Sequence, residues 1–161
     1  MILKEQENLK VTGRWKLTAK HVKTGEIIVK EGHNLIVTVG KTLLGNMLID
    51  TAGYDTGLTY CALGSDNTAP AIGQTQLVNE GGGAAMRKLI TSRTIVINEI
   101  TLSTFFTAAQ STLAIEEAGI FGHSTAGAAE NSGIMWSRWL VSFDNSLAAY
   151  DCTFDYVLTI S

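Results

Sequence analysis

Three groups of residues in this chain are of types that do chemistry, and spacing decides what each can do. In "IVTVGKTLLGN" (Ile36 to Asn46) a β-branched run enters Gly40-Lys41-Thr42, which is how a phosphate-cradling loop ends. Such a loop needs a glycine five residues before its Gly-Lys pair, so that backbone N–H groups across the whole turn wrap the phosphates. Leu35 stands there, and Val37, Thr38 and Val39 are stiff where the loop must turn. The segment therefore reads as a strand or loop entering a short helix, with Lys41 solvated. The carboxylates Glu116 and Glu117 in "LAIEEAGIFG" are adjacent. On a strand, neighbours point to opposite faces and cannot converge on one substrate. One is expected at a core edge or subunit contact, the other in solvent. His21, His33 and His123 lie in different segments, none with a partner at the i, i+4 spacing that sets two ligands on one helix face. "FGHST" lacks the G-x-S-x-G turn of a nucleophilic serine. No cofactor is expected.

Two other clusters are suited to contact rather than catalysis. In "RWKLTAKHV" Lys16, Thr18 and Lys20 alternate with Trp15, Leu17 and Ala19, the pattern of a strand with one wet face and one buried face. Arg14, Lys16, Lys20 and Lys23 then form a basic hairpin face, expected to meet an acidic surface of a partner. In "MWSRW" alternation places Trp136 and Arg138 on one face and Met135, Ser137 and Trp139 on the other. Trp and Arg are enriched at interfaces, so Trp136 and Arg138 read either as contact residues or as an outer sheet face covered by a loop.

The elements that must position these residues are mostly strands. A hairpin turns at "KTGE" and returns along "IIVKEG", and Thr38 to Ile49 carries helical spacing at Val39, Leu43 and Met47. "LTYCALGS" is a strand, and the segment to Glu80, with the only proline, Pro70, is a long loop with one helical turn near Leu77. Strands follow at Met86 to Ile97, Ile100 to Thr107, Thr112 to Phe121, Ile134 to Phe143 and Cys152 to Ile160. Met135, Trp139, Val141 and Phe143 are expected on one face of the fourth of these. The fold class is mainly β: an antiparallel β-sandwich of jelly-roll type with one short α-helix.

A length of 161 residues with 45% apolar content suits one domain, 1–161. No run of about 18 apolar residues exists and the first residues are too polar for a signal peptide, which predicts a soluble protein made in a cytoplasm, with no membrane partner. Cys61 and Cys152 show no CxxC spacing; they read as small hydrophobes within strands, and whether they pair is left open. The net charge of −3 is uneven. Met1 to Lys41 holds eight Lys/Arg against four Asp/Glu, and the rest four against eleven. Such asymmetry fits complementary protein surfaces; nucleic acid is not expected as a partner, because the basic residues interleave with a strand pattern. Lys4 to Asn8 is almost devoid of apolar residues, which predicts an N-terminal arm over residues 1–10 that orders on a neighbour.

The order of motifs resembles that of tailed-bacteriophage virion proteins. "NLIV…GK…L…NML", "YCALGSDNTAPAIGQTQLVNE", "RK", "IEEAGIFG", "MWSRWLVSFDN" and "YDCTFDYVLTIS" follow in sequence from Asn34 to Ile160. "GGGAAM" between Glu80 and Arg87 departs from that pattern, which has only a few residues there. The resemblance implies a β-sandwich that assembles symmetrically on a particle, often as a trimer, with no catalytic residues. The expected role is capsid decoration, as a homo-oligomer bound to the major capsid protein or another virion protein. A tail, neck or fibre-base component is the alternative. A carbohydrate-binding module is a third reading, for which Tyr54 and Trp136 are the candidate aromatics.

Overall fold

The computed structural model describes residues 9–81 and 86–161. Most of the expected N-terminal arm, residues 1–8, and residues 82–85 of the "GGGAAM" segment lie outside the described residues. Among the described residues ten strands form two antiparallel five-stranded sheets. The first sheet contains β1 (Val11–His21), β2 (Ile27–His33), β6 (Ser92–Val96), β7 (Glu99–Phe106) and β10 (Tyr150–Ile160), in the order β2-β1-β10-β7-β6. The second contains β3 (Leu35–Ile36), β4 (Leu58–Gly64), β5 (Arg87–Leu89), β8 (Ala114–Gly122) and β9 (Ile134–Asp144), in the order β3-β9-β8-β4-β5. One helix, α1 (Thr38–Leu48), joins β3 to β4. Sandwich and helix are as expected. Sequence neighbours pair as β1–β2, β4–β5, β6–β7 and β8–β9, and the first strand lies beside the last; these pairings establish a sandwich and not a jelly-roll order.

Alternation builds the core. Trp15, Leu17 and Ala19 of β1 and Cys152, Phe154, Tyr156 and Leu158 of β10 point inward from the first sheet. Ile115, Ala118, Ile120, Trp139, Val141 and Phe143 meet them from the second. Trp139 stacks against both Trp15 and Tyr156, with centroids 6.3 and 5.6 Å apart; offset stacking of this kind adds about 1 kcal/mol to area burial. Inside the core the Tyr156 hydroxyl accepts from Trp136 Nε1 and Asn34 Nδ2, each at 2.8 Å. Burial pushes that phenol above its usual pKa. Asn145, almost fully buried, closes the β9–β10 connection by donating to the Tyr150 carbonyl and Ser111 Oγ and accepting from the Ala149 and Tyr150 amides.

Two expectations shift. The single strand foreseen from Met86 to Ile97 is two, because the chain crosses between sheets at Ile90, which is buried, and Thr91. The 65–80 segment has no helical turn; Leu77 is instead buried in a second apolar cluster with Val37, Ala62, Phe121 and Met135.

Gly40 has a packing role. A Cβ there would sit 2.2 Å from the Trp136 carbonyl oxygen, so only glycine lets α1 lie against β9. The nearby amides are also spent: Val37 N–H donates to Trp136 O at 3.2 Å and Thr38 N–H to Ile72 O at 2.9 Å. Lys41 is exposed, as expected. Gly40→Ala is therefore expected to lower stability by about 2–3 kcal/mol, as overpacking against fixed backbone does; urea denaturation of the variant measures it.

Both cysteines are free and buried. Burial pushes the Cys61 thiol up to about 12 and that of Cys152 to about 11, from an ordinary 9.0. Folded pKa values above the unfolded ones mean that the unfolded chain loses these protons first as pH rises. The stabilisation is fully present below pH 9 and falls by roughly 1.4 kcal/mol per pH unit for each thiol, up to about 12 for Cys61 and about 11 for Cys152. Stability measured against pH with Cys61→Ala should show a shallower alkaline decline, and the native thiols should resist alkylation at pH 8.

Candidate functional site

The basic hairpin is not a basic patch. Arg14, Lys16, Lys20 and Lys23 are exposed as expected, but register sets acids among them: Lys16 lies between Glu31 and Asp155, and Lys20 opposite Asp151. Arg14 reaches Glu99 at 3.3 Å. The charge asymmetry along the sequence is resolved within one sheet, between β1 at one end of the chain and β10 at the other. Acids therefore stand among the bases of this face and lower its net positive charge.

Trp136 and Arg138 are not exposed contact residues. Trp136 is 2% exposed and Arg138 0%. A register shift between β8 and β9 at Ile120/Phe121 interrupts the alternation. It turns Trp136 into the core beside Trp139 and leaves Met135 in the second cluster, on the opposite face. Met135 therefore does not share the face of Trp139, Val141 and Phe143. With Trp136 inside and Tyr54 packed edge-on against His123 at 4.5 Å, the two aromatics named for a carbohydrate groove do not form one.

Arg138 sits on the outer face of the second sheet, under a loop, as the second of its two readings held. Its Nε donates to Glu117 Oε2 at 2.5 Å, both side chains fully buried. Glu117 also accepts from the consecutive amides of Val78 and Asn79 at 3.1 and 2.7 Å. Arg138 Nη1 donates to Gln74 Oε1 at 3.3 Å. A Cβ on Gly64 would come within 2.6 Å of the Glu117 carboxylate and the Asn79 carbonyl, so glycine is required there. Glu116 is half-buried, whereas Glu117 is fully buried.

A second pair repeats the device. Arg87 Nη1 meets Glu80 at 3.0 Å, again with both side chains buried. Arg87 also donates to the carbonyls of Gly127 (2.8 Å) and Ser132, and its guanidinium lies 3.9 Å over the Phe121 ring. Glu80 Oε2 accepts from the Asn131 amide at 3.1 Å. Glu117–Arg138 thus clamps the 65–80 loop, and Glu80–Arg87 the 123–133 loop, over one sheet face. Sequence reasoning gave Glu80 and Arg87 no role. A lone charge inside an apolar strand run, as Arg138 is in "MWSRWL", must find a buried partner; Arg87, beside Lys88 in "MRKLI", carries no such signal.

Among the described residues no group of three or more His, Cys, Asp or Glu could hold a metal ion, and no helix is long and apolar enough to cross a membrane. Large apolar side chains are also exposed among the described residues. Ile95, Val96 and Ile97 on the β6–β7 hairpin are 67, 69 and 93% exposed, and Leu48 and Ile49 at the end of α1 are 74 and 75% exposed. Compared with family models, with curated proteins and with solved structures, the chain matches none. The likeness to phage virion proteins rests on the motifs alone.

Removing one member of a buried pair strands a charge. Glu117→Ala is expected to cost about 3–5 kcal/mol in urea denaturation, whereas Glu117→Leu combined with Arg138→Met, which removes both charges, should cost markedly less.

Proposed function

We propose that this chain is a structural protein of a tailed-bacteriophage virion, a capsid-decorating β-sandwich that binds the assembled shell as a symmetric oligomer, with the major capsid protein as partner. The observation that carries the proposal is how the polar side chains are used. Those with catalytic potential, Glu80, Arg87, Glu117 and Arg138, are held in buried ion pairs beneath loops, while Ile95, Val96 and Ile97 are exposed on an edge strand and its turn. A surface of that kind suits assembly. The motif order from Asn34 to Ile160 supports the virion as its setting.

The mechanism is linkage. A subunit that binds the assembled shell and not its free components shifts the equilibrium toward the shell, by an amount set by its concentration relative to Kd. Because Lys16 and Lys20 already face acids of the same sheet, attachment is apolar in character and tolerates salt.

Quantitative mass spectrometry of purified particles, washed at low and high salt, tests the reading. Many copies per particle, on the scale of the capsid lattice and retained at high salt, are the expected result. A handful of copies would move the chain to the tail or neck, and absence from particles would overturn the virion reading altogether.

A further inference from the structure

Among the described residues β6 has a single strand neighbour, β7, and no strand pairs with its other edge; all five of its residues are exposed. Arg93 and Ile95 lie opposite Leu102 and Ile100. Those two line an apolar cleft of about 250 Å³, with Leu44 and Met47 of α1 across from them. At the hairpin tip Ile97 has φ of 56° and is 93% exposed. A β-branched residue in the left-handed region is strained, and glycine or asparagine would relax the turn. Within one chain, then, Ile97 raises the energy of the turn and buries almost nothing.

We propose that β6 is the contact strand of a twofold self-association, in which two copies pair this strand antiparallel about Thr94 and join the two five-stranded sheets into one. The strand is self-complementary in that register. Arg93, its only charge, faces Ile95 of the partner subunit and not a second arginine, and Ser92 faces Val96 of the partner subunit. Ile95 of the partner subunit then comes to the mouth of the apolar cleft. The opposite edge of the sheet differs: β2 carries Lys30 and Glu31 near its middle, the charges by which edge strands avoid pairing. The one charge of β6, Arg93, is turned back onto its own chain, its Nε donating to the Leu58 carbonyl at 3.2 Å. Pairing along this edge would take the exposed apolar side chains of the strand and its turn, Ile95, Val96 and Ile97, out of water. A threefold assembly retains this contact as a trimer of dimers.

The inference goes beyond the virion reading and stands on the chain's own surface, so the purified full chain tests it without particles. Light scattering behind size-exclusion chromatography at about 0.1 mM protein should give a dimer or an even multiple of it. Ile95→Lys should reduce that mass to half or to an odd fragment of the assembly. Ile97→Gly should weaken association by about 10- to 100-fold in Kd while leaving the melting temperature at low concentration unchanged or raised, because it relieves the turn. A wild-type monomer or odd-numbered oligomer, or an assembly that survives both substitutions, would overturn the proposal; a monomer would mean that a different protein covers this edge.

Discussion

The outer face of the second sheet depends on two carboxylates kept out of water. Glu117 and Glu80 each meet an arginine with no solvent contact, and taking such charges out of water costs several kcal/mol per ion. Attraction to the arginine alone does not offset that cost; the remaining lone pairs must also be met. Here the backbone of the covering loops meets them, through the amides of Val78, Asn79 and Asn131. The dependence runs both ways. Without the loops the ions are under-bonded, and without the ions the loops have little regular structure of their own to hold them. The same loops put Leu77 over Phe121 and Met135, so a sheet face that would otherwise face water becomes a second, thinner core.

The first sheet handles its outer face differently. Among the described residues no loop covers it, so its charges stay in water, with Lys16 in register opposite Asp155 and Lys20 opposite Asp151. Exposed pairs of this kind add a few tenths of a kcal/mol each. Their larger effect is on register: a one-residue slip of β1 against β10 would turn Trp15 and Leu17 outward and lysines into the core. The sandwich therefore has one face written in solvated charge and one in buried charge, and the two follow opposite rules for mutation.

Much of this was legible in the sequence where one periodicity governs a segment. β10 shows strict alternation from Cys152 to Leu158 and folds as read, as do β1 and helix α1. What was not legible arises where a long-range contact overrides the local pattern. Alternation through "MWSRW" put Trp136 outside and Met135 inside, and a register shift with β8 reversed both. The apolar run from Met86 to Ile97 concealed a crossing between sheets at Ile90. Of the residues around the buried clamps, Glu117 and Arg138 were each noticed but not joined, since 21 positions separate them and strand pairing, not spacing, makes them neighbours. The basic hairpin was legible as a face but not as a neutralised one, because its acids come from the far end of the chain.

The Gly-Lys-Thr segment shows why residue types alone mislead about function. Gly40 has a backbone carbonyl where a side chain would go, and Val37 and Thr38 at the helix entry donate to Trp136 and Ile72. The glycine and the entry amides thus have structural uses while Lys41 stays in solvent, and the buried glutamates and arginines are likewise held in ion pairs. A chain whose polar groups are spent internally in this way can still act through its surface. What its surface offers is strand edges and exposed isoleucine, valine and leucine side chains, which gain most by meeting another protein surface and giving up their water. Binding to a lattice is a function that needs no more than this, provided the body presenting those edges is stiff enough not to lose its binding energy to reordering. The two ion-pair clamps and the Trp15–Trp139–Tyr156 stack supply that stiffness from opposite sides of the second sheet.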